Sequence, residues 1–469
     1  MKFLIKYTTL LFVLSLSLSC FKDDDDSISS SSEIKDFVWK GMNFAYLYKE
    51  NSSNLANDRF ESNSEYQSYL NGFDSPESLF ESVVYDRQTT DRFSRITTDY
   101  IALEQQFSGI TKTNGAEFNF YYIPGSTSEI FGVVRLILPE SNASNTSIFR
   151  GQVFNKIDDQ IMTISNISSL LASETYSIGL AIYNDNGTNE IDDDTISNSS
   201  ETIALSKSVY YENPIFKAEV FNLDNENVAY LMYNGFVADY DSQLNIAFGN
   251  LQSQNIQHLI LDLRYNPGGS VNTAATLGSM ITGFTSGVFA KLQYNNDLQN
   301  NNTNYNFSSN LALGGSINSL NLNKVYVLTS GSSASASEMI INSLSAYIDV
   351  VQIGTKTVGK SQASTTIYDS PTFQRQGVNS GHLYALQPLV AISVNKDDLV
   401  VPSTGLEPDI EISESIGNYG VLGTIQEPML AAALLAIQNS GRFQTVTQGV
   451  SPVLDTNSFI PYIQDMYID

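Results

Sequence analysis

At 469 residues the chain has room for about three domains. Its 24 Lys and Arg face 50 Asp and Glu, and the formal net charge of −26 argues against a nucleic-acid partner, because phosphate contacts need clustered cations. Hydrophobic residues at 42% and aromatics at 11% suffice for packed cores, while a single Cys excludes an intrachain disulfide or a Cys-based zinc cluster. The two histidines, His258 and His382, have no Cys or His neighbour at ligand spacing, so neither a metal site nor a cofactor is expected.

Residues 1–19 read as an export signal: Lys2 and Lys6 precede a short apolar run, Leu10 to Leu18, too short for a comfortable membrane span. Cys20 stands where that run stops, with small Ser19 before it. The arrangement resembles a bacterial lipoprotein signal, which implies that Cys20 becomes the lipidated first residue. Ser17 stands where that pattern usually has Leu, and Leu16 lies one place early. Lys22 and the run Asp23 to Asp26 resemble the signal that sends some Gram-negative lipoproteins to the cell surface. Ser-rich 28–32 reads as linker, so residues 20–33 form a tether. The expected address is outside the cytoplasm, lipid-anchored to the outer membrane of a Gram-negative bacterium, with the second signal pointing to surface exposure.

Between 34 and 105, Ile34, Val38, Met42 and Ala45, then Tyr66, Tyr69, Leu70, Leu79 and Phe80, recur at helical spacing. Asn and Ser clusters break the pattern into short helices, a small N-terminal helical domain that packs on, or covers, a site elsewhere. From Phe107 the texture turns to β, with strands expected over 118–123, 132–138 and 176–183 and a short helix over 167–171. The order over 106–205, with Arg150-Gly151 leading into a strand that ends in an acidic turn, resembles a PDZ domain. Its binding loop is then Ser108-Gly109-Ile110, and an extended peptide is implied to add as a strand with its C-terminal carboxylate on backbone N–H groups.

From about Ser206 strands and helices alternate: strands over 228–232, 258–263, 324–329 and 350–353, helices over 241–251, 274–281 and 335–347. That is the signature of an α/β domain running to 423, followed by a C-terminal segment, 424–469, with a helix at about 426–438. The Asn-rich stretch 295–310 reads as an exposed loop.

Three segments are placed for chemistry. In Leu261-Asp262-Leu263-Arg264-Tyr265-Asn266-Pro267-Gly268-Gly269 a buried strand runs into paired glycines, whose backbone can approach a ligand closely. In Ser335-Ala336-Ser337-Glu338, between a strand and a helix, Ser335 and Glu338 fit a capping box, and a Ser at a helix N-terminus is also well placed as a nucleophile. Gly354-Thr355-Lys356-Thr357-Val358-Gly359-Lys360-Ser361 matches the nucleotide-binding Gly-x4-Gly-Lys-Ser pattern, but a phosphate loop must open a helix. The following Gln362 to Tyr368 is strand-like, so no nucleotide is expected.

Taken together, these segments resemble the C-terminal processing peptidases, Ser/Lys serine proteases of peptidase family S41. Leu263-Arg264-Tyr265-Asn266-Pro267-Gly268-Gly269, Ser335-Ala336-Ser337-Glu338, Gly359-Lys360 and Gly405-Leu406-Glu407-Pro408-Asp409 match its motifs in order and spacing. The resemblance implies an α/β protease core of the crotonase/ClpP-like βαβ kind, over 206–423, beside the PDZ-like and helical domains. It implies Ser335 as nucleophile and Lys360 as general base. The oxyanion hole is implied at Ala336 N–H with an amide of Gly268 or Gly269, and protein or peptide chains are the implied substrates. Where many members carry a Gln four residues after the Lys, this chain has Ser364, with Gln362 two residues early; both are candidates for a third member. A non-catalytic, peptide-binding surface lipoprotein is the alternative reading.

Overall fold

The computed structural model describes residues 29–188, 193–438, 451–459 and 466–468. The export signal and Cys20 lie outside the described residues.

Among the described residues, the N-terminal stretch forms the α-helices Ser31–Ala45, Asn63–Asn71, Pro76–Val83 and Tyr100–Phe107, with 3-10 turns at Lys49–Asn51 and Ser53–Leu55. Each α-helix opens on a residue whose side chain accepts a helical N–H bond: Ser30, Ser62, Ser75 and Asp99. Of the apolar positions spaced for a helix, Ile34, Val38, Met42, Ala45, Leu70, Leu79 and Phe80 are buried in one core shared with the α/β region, and Tyr66 and Tyr69 pack partly buried against it. The strand Arg95–Thr97 pairs antiparallel with Ala385–Gln387, which ties this stretch to the far end of the chain.

Residues 116–206 build an antiparallel sheet in the order Leu454–Asp455, Ala116–Tyr122, Ile130–Ile137, Val153–Ile157, Thr175–Asn184 and Thr195–Ser206, with Gln160–Ile161 beside Val153–Ile157. Phe118, Phe120, Phe154, Ile157 and Ile178 form its core beneath the helix Ile167–Ala172. One edge comes from the C-terminal segment, a pairing between residues more than 300 apart in the chain that no local pattern announces.

The central sheet runs Ile215–Leu223, Glu226–Tyr233, His258–Asp262, Lys324–Thr329, Asp349–Gly354 and Ile410–Glu411, parallel after its first, antiparallel pair. Its strands alternate with period two. Ala229, Leu231, Leu259, Leu261, Val325 and Val327 face one side, packed with residues of the helices Asp241–Gln252, Val271–Thr282 and Ala336–Ser345. Val228, Tyr230, Met232, Ile260, Tyr326 and Leu328 face the other, under the helix Pro428–Gln438.

A second six-stranded sheet follows the order Gly269–Ser270, Met466–Tyr467, Gln362–Ser364, Leu389–Val394, Val288–Tyr294 and Thr303–Asn306. The Asn-rich stretch expected as a loop is therefore structured. Asn296–Asn301 is a 3-10 helix and Thr303–Asn306 is an edge strand paired with Val288–Tyr294, mostly solvent-exposed, which is why its composition is polar. Among the described residues no helix is long and apolar enough to cross a membrane.

Candidate active site

The strands His258–Asp262 and Lys324–Thr329 are parallel neighbours, so the loops leaving their C-terminal ends lie side by side, where α/β sheets place their sites. Hydrogen bonds zip the two loops together: Leu263 N to Leu328 O at 2.9 Å, Ala334 N to Asn266 O at 3.2 Å, Ser333 Oγ to Leu263 O at 2.7 Å and Ser337 Oγ to Asn266 O at 3.0 Å. The Ser-rich composition of 330–337 is thus a structural need, since buried backbone carbonyls want donors.

Ser335 sits at the head of the helix Ala336–Ser345, fully buried, with φ of +65°. A non-glycine residue in this conformation is strained and persists only where its surroundings enforce it. Its Oγ has no hydrogen-bond partner among the described residues. The expected capping box is therefore half-formed: Glu338 Oε2 accepts the Ser335 amide at 2.8 Å, while the hydroxyl stays out of the cap. Ala336 is the first helical residue, and its N–H has no acceptor within the helix. Gly268 lies against both. A Cβ there would stand 2.6 Å from Ser335 Cβ, 2.9 Å from its Oγ and 3.1 Å from the Ala336 nitrogen, at a φ of +118°. Only bare backbone fits. The Gly268 amide itself is engaged, donating to Asn266 Oδ1 at 2.9 Å, and Gly269 pairs in register with Met466.

Lys360 arrives from the neighbouring strand Asp349–Gly354 through a loop that enters the strand Gln362–Ser364 and no helix, so the nucleotide-loop pattern lacks its required partner. Lys360 is fully buried, with Nζ 5.1 Å from the Phe93 ring centroid. Glu338 joins the two halves of the site. Its Oε2 accepts the amides of Ser335 at 2.8 Å and Lys360 at 2.9 Å, and its Oε1 accepts Thr357 Oγ1 at 2.5 Å and the Gly359 amide at 2.6 Å. The backbones of Ser335 and Lys360 are thereby held within two hydrogen-bond lengths of each other. Burial pushes the Glu338 carboxyl up from its ordinary value, opposed by the donors from Thr357, Lys360, Ser335 and Gly359. Outer supports follow: Arg92 Nη2 reaches Val358 O, Gly359 O and Ser403 O at 3.1–3.3 Å. Gly405 lies so close under Thr357 that a Cβ would stand 2.0 Å from Thr357 O.

The motif arginine points away from this chemistry. Buried Arg264 bonds Asp262, Glu427 at 2.7 and 3.0 Å and Glu414 at 3.2 Å, clamping the turn to the start of the helix Pro428–Gln438. Burial favours neutral Glu427, but the Arg264 charge outweighs it and holds that carboxyl below its usual range.

The two candidate third members have defined bonds of their own. Ser364 Oγ accepts from Gln387 Nε2 at 3.0 Å and donates to Met466 O at 3.2 Å, and Gln362 Nε2 donates to Tyr48 OH at 3.0 Å. In the expected carboxylate loop, the Ser108 and Gly109 amides close the helix Tyr100–Phe107 on the carbonyls of Glu104, Gln105 and Gln106. Those amides are engaged, because an α-helix leaves its last carbonyls in need of donors. Gly109 and Ile110 nevertheless line cavities. A cavity of about 620 Å³ lies between Ile110–Thr113, Ile167–Ala172 and the antiparallel sheet. It shares Gln106, Thr111, Glu212, Asn234 and Pro267 with a cleft of about 90 Å³ that ends on Gly268 and Gly269. The Glu338 hub is not legible in the sequence, although the capping-box spacing marks the residue. Phe93 and Gln387 carried no local signal.

Comparison with known proteins identifies the family. Residues 227–412 match peptidase family S41, and residues 33–95 match the peptidase S41 N-terminal domain. A curated relative, the probable CtpA-like serine protease of Staphylococcus epidermidis (strain ATCC 12228 / FDA PCI 1200), is 28% identical over 187 residues, 40% of this chain. The match spans 34% of that protein, about a third of its length. Among solved structures, an S41-assigned protein of Bacteroides fragilis NCTC 9343 superposes with a TM-score of 0.67 at 24% identity, covering 87% of this chain and 98% of that one. The photosystem II D1 C-terminal processing protease gives 0.51 at 17% identity, covering 87% and 99%. At these identities the structures establish the fold.

Proposed function

The chain belongs to peptidase family S41, and from that premise we propose that it is a serine endopeptidase with Ser335 as nucleophile and Lys360 as general base. The observation that carries this reading is the Ser335 hydroxyl: buried, strained, unpartnered among the described residues, at a helix head beside bare Gly268. Ser335 Oγ attacks the scissile carbonyl carbon while neutral Lys360 takes its proton. The ammonium that forms faces the Phe93 ring. The oxyanion is received by Ala336 N–H at the positive end of the helix, joined by an amide of the Gly268–Gly269 turn; Gly268 N–H joins by exchanging Asn266 Oδ1 for the substrate oxygen. Lys360 returns its proton to the leaving amine. Water, deprotonated by Lys360, then cleaves the acyl-enzyme. Ser364, held by Gln387, buttresses the strand that follows the lysine.

The substrates proposed are unfolded or C-terminally exposed protein chains, entering through the cavity between the antiparallel sheet and the Gly268–Gly269 turn. In this reading the sheet is a PDZ-like peptide-docking domain, and the parallel core is crotonase/ClpP-like. The enzyme acts outside the cytoplasm, anchored through lipidated Cys20. Incubating the mature protein with a permanently unfolded protein tests the chemistry. Wild type should fragment it, Ser335→Ala and Lys360→Ala should not, and wild-type cleavage by either folded variant refutes the assignment. Cys20→Ser should move the protein from the membrane to the soluble fraction.

A further inference from the structure

One wall of the cleft carries a carboxylate that the chemistry above leaves unused. Glu212 follows the strand Ser208–Tyr211 and lines both the large cavity and the small cleft that ends on Gly268 and Gly269. Its backbone is anchored, with its amide donating to Gly109 O at 2.9 Å. Its side chain is half-buried and, among the described residues, forms no ion pair; Asn234 Nδ2 approaches Oε1 at 3.5 Å. The titratable groups that face it are Glu117 and Arg135 from the antiparallel sheet, Tyr210 from the strand that precedes it and Tyr240 from the 3-10 turn Ala238–Tyr240. Arg135 is already held by Glu117 and Asp455, each at 2.9 Å. The other cations of the cavity wall are also engaged: Lys112 with Glu174 at 2.5 Å, and Lys207 with Leu171 O at 2.6 Å.

An acid without a cation, lining both the large cavity with Phe118 and Leu138 on its walls and the small cleft that ends on Gly268 and Gly269, is matched by a positive charge that the ligand brings. An anionic ligand would meet Glu212 and Glu117 together. We propose that Glu212 is a specificity-determining residue that pairs with a Lys or Arg side chain of the peptide substrate close to the scissile bond. The proposal rests on the peptidase reading above. The stem of such a side chain lies along the apolar wall while its head reaches the carboxylate, and the charge of −26 draws cationic chains toward the cleft. Burial, and then the Glu117 charge, push the Glu212 carboxyl up to about 8. Pairing with a cation therefore releases a proton, and the preference strengthens as pH rises toward and through that value.

The test uses binding, so it does not depend on turnover. Two labelled pools of short randomised peptides, one with Lys and one with norleucine at the centre, are titrated into the Ser335→Ala protein by fluorescence anisotropy. The Lys pool should bind about tenfold tighter, and raising the pH from 6.5 to 8.5 should tighten that pool alone. Adding the isosteric Glu212→Gln change should bring the pools to within about twofold, and Glu212→Lys should turn the preference toward a Glu-centred pool. Equal binding of the Lys and norleucine pools, or a Lys preference that survives Glu212→Gln in a folded protein, overturns the proposal. Failure of the peptidase reading is seen separately, as an absence of cleavage of unfolded protein by wild type.

Discussion

Replacing Glu338 by Gln perturbs a carboxylate that bonds the backbones of both Ser335 and Lys360. Its two carboxylate oxygens accept four donors, from Ser335, Lys360, Thr357 and Gly359. The Gln amide keeps one oxygen, so two of those donors stay satisfied and two face an N–H₂ group. A buried donor without an acceptor costs about 1–3 kcal/mol, so the two together cost roughly 2–6 kcal/mol. Part of this is offset because the neutral amide escapes the burial that raises the Glu338 carboxyl. The net expectation is a loss of about 2–4 kcal/mol, read as a lower urea midpoint. Catalysis should suffer more than folding if Ser335 and Lys360 act as proposed, because a displacement of about 1 Å in a nucleophile or base costs on the order of a hundredfold. Steady-state cleavage of an internally quenched peptide should show kcat falling about hundredfold with KM changed less than about threefold, since Glu338 acts through Ser335 and Lys360 and not on bound substrate. Circular dichroism confirms that the variant is folded at the assay temperature. A folded Glu338→Gln protein with wild-type kcat would refute the hub argument.

Three further outcomes follow from the same geometry. Gly268→Ala places a Cβ 2.6 Å from that of Ser335 at a φ of +118°, so activity should fall at least about a hundredfold while the far-UV spectrum is kept; a variant as active as wild type contradicts the close approach. Arg264→Leu leaves Asp262, Glu427 and Glu414 buried without their shared cation, and the urea midpoint should drop by the equivalent of about 3–5 kcal/mol; an unchanged midpoint refutes this. The folded-state pKa of Glu212 is raised from 4.5 to about 8, so the folded protein keeps a proton that the unfolded chain has released. That group's contribution to stability is therefore lost as pH rises from about 4.5 through 8. Glu212→Gln should flatten this slope and be the more stable form at pH 9, by no more than about 2 kcal/mol once its partial exposure to solvent is discounted. Urea unfolding at several pH values checks it, and a slope that survives the substitution removes Glu212 as its source.

The pattern of residue types along the chain determined the secondary structure closely. The helical spacing of Ile34, Val38, Met42 and Ala45, and the apolar runs at 228–232, 258–263 and 324–329, appear as buried faces of helices and strands. That follows because side-chain direction repeats every 3.6 or two residues whatever the distant surroundings. It also brought Ser335, Lys360 and Gly268 forward, since strand ends, helix heads and paired glycines are local features. What the tertiary structure decided is the bonding state of each group. The Ser335 hydroxyl was legible as a cap but stands clear of it, and the Gly268 amide, a candidate oxyanion-hole donor, is taken by Asn266 Oδ1. The amides of Ser108 and Gly109, read as a carboxylate site, close a helix instead. Met466 and Tyr467 enter the sheet between Gly269–Ser270 and Gln362–Ser364, and Phe93 meets Lys360 from the N-terminal stretch. Partners such as these lie up to hundreds of residues apart. Whether a donor finds its acceptor depends on distances of a few tenths of an ångström and on the exclusion of water, which no spacing along the chain encodes.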